Sequence, residues 1–548
     1  ACLVGRALSF NTIRSSTIAR IDGLQSVAAA PAPLIRAANL TVEAIDQSRT
    51  SAVVVGVSVA ASFAPSGKVA VGVSFGFAAG VNRISADTLA LLEDTNARVS
   101  GTLAVTAQRQ AEIVSAAVAA SVAVAWAQNV GVALAGGGAG SSNVITGHTH
   151  ADVVRATIAG PLGANGEPAL AATTLNVSAS DASTIRAGTG ALAAAVAVTA
   201  GGQGAAVGVA IGVAIVRNAI GTSDDPSTLR ARILDSEVAV SGAVSVTASQ
   251  MSSITSSTVA VAAAIAAQVG GSGAGVGLSG AGTEVTNRIV SSTEATIDGR
   301  RNLELSPSRE VLPVAVSAVT PRRSLRSGNL TVAASDTSEI KANAIGAAVS
   351  VGVSVGGQAN VGFAVAVGAS LAHNSLERQL KASVRDLSAL KSTGAIAISA
   401  TATSAIEASA TAAAVSVGVG VGQAGVGLSA AGGGAESTNT ILGATTATVD
   451  WVPVTGSGSL SVTATDNNSI TAGIGAIAAS VGVGAGQVGV GGAAAIGVSL
   501  ARNVIGAGEG DNAYRIEATV HNSAITLDGA LDVPVSYTHL TLPTIYSV

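Results

Sequence analysis

The chain has 548 residues, of which 48% are hydrophobic but only 2% aromatic, and 66 are glycine. Such small side chains predict a thin core between closely spaced backbones, because few large groups are available to fill a thick one. With 11% charged residues and a net charge of −4, the chain lacks the strong positive field that a nucleic acid would require, and its single cysteine excludes an internal disulfide.

A short stretch of alternating apolar residues recurs along the chain about every 70 residues. Its copies begin at Leu40, Leu103, Leu175, Val244, Leu330, Ile396 and Leu460. Ten positions after each start stands Thr50 in the first copy and an isoleucine in the others, namely Ile113, Ile185, Ile254, Ile340, Ile406 and Ile470. A fixed period of this length indicates a repeat architecture.

A second landmark is an Asn-x-Ile or Asn-x-Leu triplet that closes each long apolar stretch. Its asparagines are Asn11, Asn82, Asn143, Asn218, Asn287, Asn374, Asn439 and Asn503. The triplet ends 32 to 36 residues after the ten-offset position, whereas 19 to 41 residues separate it from the next start. A constant core with a connector of variable length is typical of repeats that carry their loops on one side.

The long segments between these landmarks predict strands. The stretch AAVSVGVSV from Ala347 alternates with period two, and a glycine-rich turn from Gly356 leads into a second such stretch, which predicts a long hairpin. Valine occupies one face and alanine, glycine or serine the other, so both faces are expected to be buried. The predicted fold class is all-β, either a repetitive β-solenoid or a stacked β-hairpin tape built from repeats of about 70 residues.

The predicted units follow from the starts of the short stretches. Residues 1–39 are the tail of a truncated unit, and full units span 40–102, 103–174, 175–243, 244–329 with an irregular insertion, 330–395, 396–459 and 460–530. Residues 531–548 begin another truncated unit and end in SYTHLTLPTIYSV. This ending has no counterpart elsewhere in the chain and resembles a translated sequencing-adaptor tail, so it is predicted to be non-native.

The recurring asparagines and isoleucines are interpreted as structural. A catalytic residue would be expected once, whereas an amide present in every unit is suited to a ladder of side chains stacked along one axis. No catalytic residue, metal ligand set or cofactor is predicted. The Gly-rich turns are not followed by the GK[ST] of a phosphate-binding loop, and GxSxG-like strings are expected by chance in a chain so rich in Gly and Ser.

Three polar clusters have a plainer interpretation than a functional one. His148 and His150 could share a strand face, yet no third metal ligand recurs near them. Aspartates that could suggest calcium lie in turn-like sequences without a calcium-binding spacing. These are Asp224, Asp225, Asp466 and Asp511. A basic cluster without interleaved aromatics is interpreted as a solvated loop rather than a polyanion site. It comprises Arg300, Arg301, Arg322, Arg323 and Arg326.

The strands of the LTVTA type, the paired valine-rich strands and the Asn-x-Ile closures together resemble the repeat regions of giant bacterial exoproteins, namely filamentous-haemagglutinin-like and autotransporter-type adhesins. The resemblance covers nearly all of residues 1–533. It implies a structural stalk without catalysis, located outside the cell or on its surface. The partners it implies are neighbouring repeats of the full-length chain, further copies of the chain, and host or cell-surface ligands.

Two other functions stay open at this stage. An outer-membrane β-barrel segment would use paired apolar strands with glycine turns, but it also needs aromatic girdles. Two tryptophans and five phenylalanines are too few for them. An enzyme on a β-helix scaffold would need a groove lined by acids or aromatic residues, and the sequence offers no such pattern.

Overall fold

The computed structural model describes residues 1–23, 34–66, 68–160, 169–171, 173–201, 203–300, 323–506 and 514–547. Within these ranges the regular structure consists of β-strands, and the predicted all-β class is confirmed. No helix that is both long and apolar enough to cross a membrane is found among the same residues.

The strands follow one another in an order that recurs along the chain. The first sixteen are β1 (Cys2–Asp22), β2 (Leu34–Ala37), β3 (Leu40–Asp46), β4 (Arg49–Ala64), β5 (Val69–Glu93), β6 (Asn96–Val99), β7 (Thr102–Arg109), β8 (Glu112–Ala127), β9 (Val130–Thr146), β10 (His148–Val154), β11 (Thr157–Ile158), β12 (Thr174–Asp181), β13 (Thr184–Ala200), β14 (Gly204–Ile220), β15 (Ser227–Leu234) and β16 (Glu237–Ala239). The others are β17 (Val244–Gln250), β18 (Ser253–Val269), β19 (Gly273–Asp298), β20 (Ser324–Ser327), β21 (Leu330–Asp336), β22 (Glu339–Val355), β23 (Ala359–Arg385), β24 (Ala389–Ser392), β25 (Ile396–Ala402), β26 (Ala405–Val421), β27 (Ala424–Asp450), β28 (Val454–Gly456), β29 (Leu460–Ala485), β30 (Val488–Ile505), β31 (Arg515–His521), β32 (Ile525–Leu527), β33 (Leu531–Asp532) and β34 (Val535–Ser547).

These strands form three sheets of 15, 11 and 8 strands. In the unit 40–102, β3 and β4 belong to the 15-stranded sheet, β5 to the 11-stranded sheet and β6 to the 8-stranded sheet. The pairings between these strands are parallel and join corresponding segments of successive units, as β4 with β8 and β5 with β9. From β3 to β32 the described chain visits the 15-stranded, the 11-stranded and the 8-stranded sheet in this order seven times.

The predicted hairpins are not formed by the described strands. The long strands β4 and β5 follow each other in the chain but lie in different sheets, and the turn between them leads from one sheet to the facing one. Their backbone groups are satisfied by parallel neighbours from adjacent units. Long strands inside the stack, such as β8 and β9, have such neighbours on both edges, so no hydrogen-bonding edge is left for the strand that follows them.

The two large sheets face each other across a thin interior of small side chains. The buried positions of β8 in this region are Ala117, Ala119, Ser121, Ala123 and Ala125. The backbones approach so closely that a Cβ atom placed on Gly212 of β14 would lie 2.8 Å from the carbonyl oxygen of Val261 in β18. The close spacing explains why this interior admits little more than glycine, alanine and serine.

The valine faces of the same strands point outward, contrary to the expectation that both faces are buried. On β4, Val53 is 74% exposed and Val57 58%, and on the interior strand β18 Ile265 is 42% exposed. The reason is steric, because the facing carbonyl groups leave little room for a branched side chain, and few such residues, Val54 among them, lie inward. The larger apolar residues therefore lie on the exposed outer faces of the two large sheets.

A second, thicker core lies where the three sheets enclose a common space. Larger side chains fill it, including Leu103 from the 15-stranded sheet, Ile158 from the 8-stranded sheet and Leu229 from the 11-stranded sheet, each fully buried. The sequence signature of this core is the short alternating stretch that starts each unit, because its Leu and Val residues point inward.

Connectors between the 11-stranded and 8-stranded sheets differ widely in length. Three residues, 386–388, separate β23 from β24, whereas 25 residues, 299–323, separate β19 from β20. The strands on both sides of the long connector still pair in register with their neighbours, Ile297 with Val384 and Leu325 with Leu390. Arg301 and Arg322 of the basic cluster lie outside the described residues.

The C-terminal segment predicted to be non-native forms β34, which pairs in parallel with β29 at one end of the 15-stranded sheet. Its side chains stay exposed, including Leu540 and Leu542 at 50% each, and the Tyr537 ring packs on Tyr514 with centroids 5.6 Å apart. The segment thus adds backbone pairing at an edge but hardly any buried apolar surface.

The close approach of the sheets gives a direct test at two glycines. A Cβ atom on Gly427 of β27 would overlap the carbonyl oxygen of Val483, whereas one on Gly473 of β29 would meet no atom within 4 Å. We expect Gly427→Ala to destabilise the protein by about 1–3 kcal/mol, since the sheets must separate locally. Gly473→Ala should leave stability unchanged or raise it by about 0.5 kcal/mol. Urea unfolding followed by circular dichroism measures both, and equal effects would contradict the close packing.

Candidate functional site

The eight recurring asparagines form one continuous hydrogen-bonded row through the 11-stranded sheet. Each Nδ2 donates to the Oδ1 of the next asparagine, with N···O distances of 2.8 or 2.9 Å, from Asn11 through to Asn503. Successive members lie 61 to 87 residues apart in sequence. Parallel in-register pairing places these amides above one another, and the geometry is that of a side-chain ladder.

Next to this ladder, two rows of isoleucine pack against each other in the interior. One row is the isoleucine or leucine of each Asn-x-Ile triplet, such as Ile289 and Leu376, and the other is the ten-offset row from Ile113 to Ile470. The members of both rows within this cluster are fully buried. The two landmarks found separately in the sequence therefore meet in space, across the two large sheets. In the first unit the ten-offset position is Thr50, which is also buried.

A row of buried polar side chains separates the isoleucine rows from the thicker core. It occupies one aligned position of the 15-stranded sheet, six residues after the start of each short stretch. Its polar members are Asp46, Arg109, Asp181, Gln250, Asp336 and Asp466, and Ala402 takes the aligned position between Asp336 and Asp466. The sequence analysis missed this row because the residue type changes from unit to unit. A polar residue at a constant offset was the available signal.

The strongest pair in this row is Arg109 with Asp181, both fully buried and 2.5 Å apart between guanidinium nitrogen and carboxylate oxygen. Asp181 also accepts hydrogen bonds from Ser183, from Gln250 and from Ser227 of the facing sheet. Burial by itself raises the pKa of Asp181, but the charge and hydrogen bonds of Arg109, with help from Ser183 and Gln250, outweigh it and hold that pKa below its ordinary value.

A second buried pair joins the two large sheets at the other end of the row. Arg378 of β23 donates to Asp466 of β29 at 2.6 Å, and Thr445 donates to the same carboxylate at 2.9 Å. The hydroxyl of Tyr514 accepts a hydrogen bond from Asn468 beside this pair. Burial raises the pKa of Tyr514, so its hydroxyl stays protonated at neutral pH.

A further ionic group lies on β10, β15, β19 and β23. Arg232 holds Asp152 through two hydrogen bonds of 2.9 Å. Burial raises the pKa of Glu294, but nearby cations, Arg232 first, lower it by more. Burial is also the main reason why the pKa of Lys381 is lowered. The members of this group neutralise one another.

The two histidines singled out in the sequence share a threonine. His148 Nδ1 lies 2.6 Å and His150 Nε2 3.3 Å from Thr228 Oγ1, and the two rings are 6.0 Å apart. In the described ranges no group of three or more His, Cys, Asp or Glu side chains is placed to hold a metal ion. Of the aspartates, Asp466 belongs to the buried ion pair. Asp225 lies in a turn, where its backbone amide donates a hydrogen bond to Thr222 Oγ1. Asp511 lies outside the described residues.

The basic cluster is only partly described, and two of its members are paired with acids. Arg300 contacts Asp298 at 2.6 Å and Asp386 at 3.6 Å, and Arg323 contacts Asp235 at 2.7 Å. These two arginines are 27% and 24% exposed, and most of the stretch predicted to be a solvated loop lies outside the described residues. Their carboxylate partners come from the strand ends beside the long connector, where the fold brings acids and bases together.

A shallow surface depression of about 580 Å³ opens near the start of the 8-stranded sheet. Its lining combines two arginines, Arg36 and Arg98, with small and apolar residues such as Val99 and Leu170. The described lining residues, which border the gaps at 161–168 and 172, include no carboxylate, histidine or cysteine.

The residues brought together by the fold thus form rows that run across the units, rather than a cleft with one set of reactive groups. The asparagine ladder, the isoleucine rows and the buried ion pairs each link a strand to its neighbour or one sheet to the other. Comparisons with protein-family models, with curated proteins and with solved structures found nothing that matches this chain.

Proposed function

We propose that this chain is a β-solenoid segment of a bacterial extracellular or cell-surface protein of the adhesin type, and that it serves as a structural stalk without catalysis. The observation that carries the proposal is the unbroken ladder from Asn11 to Asn503, which links eight segments of the chain by side-chain hydrogen bonds. Such a ladder requires that corresponding segments stack in register along one axis.

The energetics of the fold support a role as a spacer. Long strands inside the stack pair with the equivalent strand of the preceding and the following unit, as β22 does with β18 and β26. Stability is then a sum of terms within units and between neighbours, so the protein can be lengthened by adding units. The resemblance of the repeat style to giant exoproteins supports a location outside the cell.

The spacer role is tested by changing the number of units. Residues 103–243 comprise two units. We expect their duplication to add two strand spacings of about 4.8 Å to each large sheet, which lengthens the particle by about 10 Å along one axis. Cryo-electron microscopy of the parent and the duplicated chain measures this length. A duplicated segment that folds beside the parent body, or that widens its cross-section, would contradict the proposal.

A further inference from the structure

On the outer face of the 11-stranded sheet, large side chains and glycines alternate from strand to strand. In one row of paired positions, Phe75, Ile211, Val367 and Ile496 stand on every second strand. The strands between them carry Gly136, Gly280 and Gly432 at the same position. Large residues are thus separated by two strand spacings, which is about 9.6 Å.

The adjacent outward row, two residues further along each strand, repeats the alternation in phase. Phe77, Val213, Ala369 and Val498 align with the large positions, and Gly138, Gly282 and Gly434 with the glycine positions. Together the two rows make short ridges on the strands that bear side chains and short grooves, two outward positions long, on the strands that bear glycine. On β19 the groove lies between Leu278 and Glu284, the outward residues before Gly280 and after Gly282.

Two of the grooves are open. A Cβ atom placed on Gly280, Gly282, Gly432 or Gly434 would meet no atom within 4 Å. The neighbouring ridge residues are well exposed, Ile211 to 52% and Val367 to 50%. The first groove differs, because the rings of Phe75 and Phe77 lie over Gly136 and Gly138. The open grooves and the exposed ridges therefore alternate on the part of the face that runs from β14 to β30.

The face has the size and composition of a protein interface. No Asp, Glu, Lys or Arg occurs in residues 69–82, 130–146, 204–216, 273–283, 359–371, 424–435 or 488–501, which supply it. Seven strands at about 4.8 Å and ten residues at about 3.3 Å give roughly 1,100 Å². A stable interface takes about 800 Å² from each partner, and the largest apolar patch on a monomer is usually about 300–600 Å².

We infer that this face is a self-association surface on which a second copy of this chain docks. Its ridges and grooves have the same spacing, so the same face of a second copy, displaced by one strand, places its ridges in the open grooves of the first. A two-fold arrangement of this kind buries both copies of the face and closes the assembly as a dimer. In the dimer the ridge side chains, which are exposed in the single chain, pack against the grooves of the partner copy.

The outer face of the 15-stranded sheet supplies the contrast. There one row of paired positions reads Val124, Val196, Ile265, Val351, Val417 and Val481, with a large residue on each successive strand. This face is apolar but has no alternating relief along that row. The 11-stranded sheet also has a row of this kind, which reads Val73, Leu134, Val209, Leu278 and Val365. What distinguishes its face is the neighbouring pair of rows in which glycine stands on every second strand.

The test fills the grooves while making the face more apolar. We expect the wild-type chain to form dimers in sedimentation equilibrium, and Gly280→Leu/Gly432→Leu to weaken them by at least about tenfold, because leucine blocks the ridges of the partner. The matched control is Gly188→Leu/Gly473→Leu, at two glycines of the 15-stranded sheet whose Cβ positions are also open. The control should dimerise like the wild type.

A second variant, Ile211→Ala/Val367→Ala, shortens the ridges without adding bulk and should weaken dimers as well. Circular dichroism establishes that each variant is folded. A wild-type chain that stays monomeric at about 100 µM would overturn the inference. So would association that is unaffected or strengthened by groove filling, which would indicate pairing through the open sheet edges. Stronger flotation of the groove variant with phosphatidylcholine vesicles, without dimers, would indicate a lipid surface instead and would equally overturn it.

Discussion

Replacing Asn287 with leucine is expected to lower the free energy of unfolding by about 2–5 kcal/mol, although no apolar volume is lost. Asn287 lies in the middle of the ladder, where its Nδ2 donates to Asn374 and to Ser256, and its Oδ1 accepts from Asn218. The substitution leaves the buried Nδ2 of Asn218 and Oδ1 of Asn374 without these partners. A buried polar atom that loses its hydrogen bond costs about 1–3 kcal/mol.

Two other asparagines serve as controls for this prediction. Asn343→Leu changes the same residue type on the outward side of β22 and should alter stability by less than about 0.5 kcal/mol. Asn503 stands at the end of the ladder, where it accepts from Asn439, so Asn503→Leu removes one ladder bond where Asn287→Leu removes two. Amide hydrogen exchange should show the loss of protection concentrated in β14, β19 and β23, and an equal effect of all three variants would contradict a ladder that stabilises the stack.

Replacing Arg109 with leucine is expected to cost about 3–5 kcal/mol at pH 7, because it leaves a buried carboxylate without its cation. Asp181 would keep the hydrogen bonds from Ser183, Ser227 and Gln250, but none of these supplies a positive charge. The control is Arg186→Leu, in which the lost partner of Glu112 is 61% exposed, and such surface pairs are worth about 0–1 kcal/mol.

The pH dependence of the Arg109→Leu variant should differ in sign from that of the parent. In the parent the pKa of Asp181 is lowered, so its contribution is present above the unfolded-state pKa of about 3.9 and is lost as the pH falls through the folded-state value. Without Arg109, burial dominates and raises the pKa of Asp181. The variant then regains stability as the pH falls and the carboxyl group becomes protonated.

The stability difference between parent and variant should therefore shrink between pH 7 and about pH 4. Urea unfolding at a series of pH values measures it, with Arg186→Leu treated in parallel. A difference that stays constant over this range would mean that Asp181 does not depend on Arg109 for its charged state.

The sequence indicated the strands and the repeated asparagines well, because alternation and spacing are local properties that in-register stacking carries into space. Asn82 and Asn143 were predicted to stack from their place relative to Ile84 and Ile145 alone. The sequence could not reveal which face of a long strand is buried. Hydrophobicity favours the valine face, as in Val53 to Val57, whereas the structure buries the small face.

The buried ion pairs escaped prediction for a different physical reason. Arg378 and Asp466 belong to different sheets, 88 positions apart, and nothing near either residue marks its partner. Arg109 and Asp181 occupy aligned positions, where aspartate stands at every second member of the row. The residues between the aspartates change from Arg109 to Gln250 and Ala402, so the sequence does not indicate where a cation will meet an acid. Pairing of this kind depends on which strands become neighbours, and that is decided by the whole stack.

The connectors between the 11-stranded and the 8-stranded sheet can vary in length without changing the register of the strands. Because 25 residues between β19 and β20 disturb the register no more than three residues between β23 and β24, the corner between these two sheets is indifferent to added length. Foreign peptides could be grafted there and presented at intervals of one strand spacing. Changes of length or sequence at this corner are therefore expected to alter the peptide displayed there while the stack beneath it stays constant.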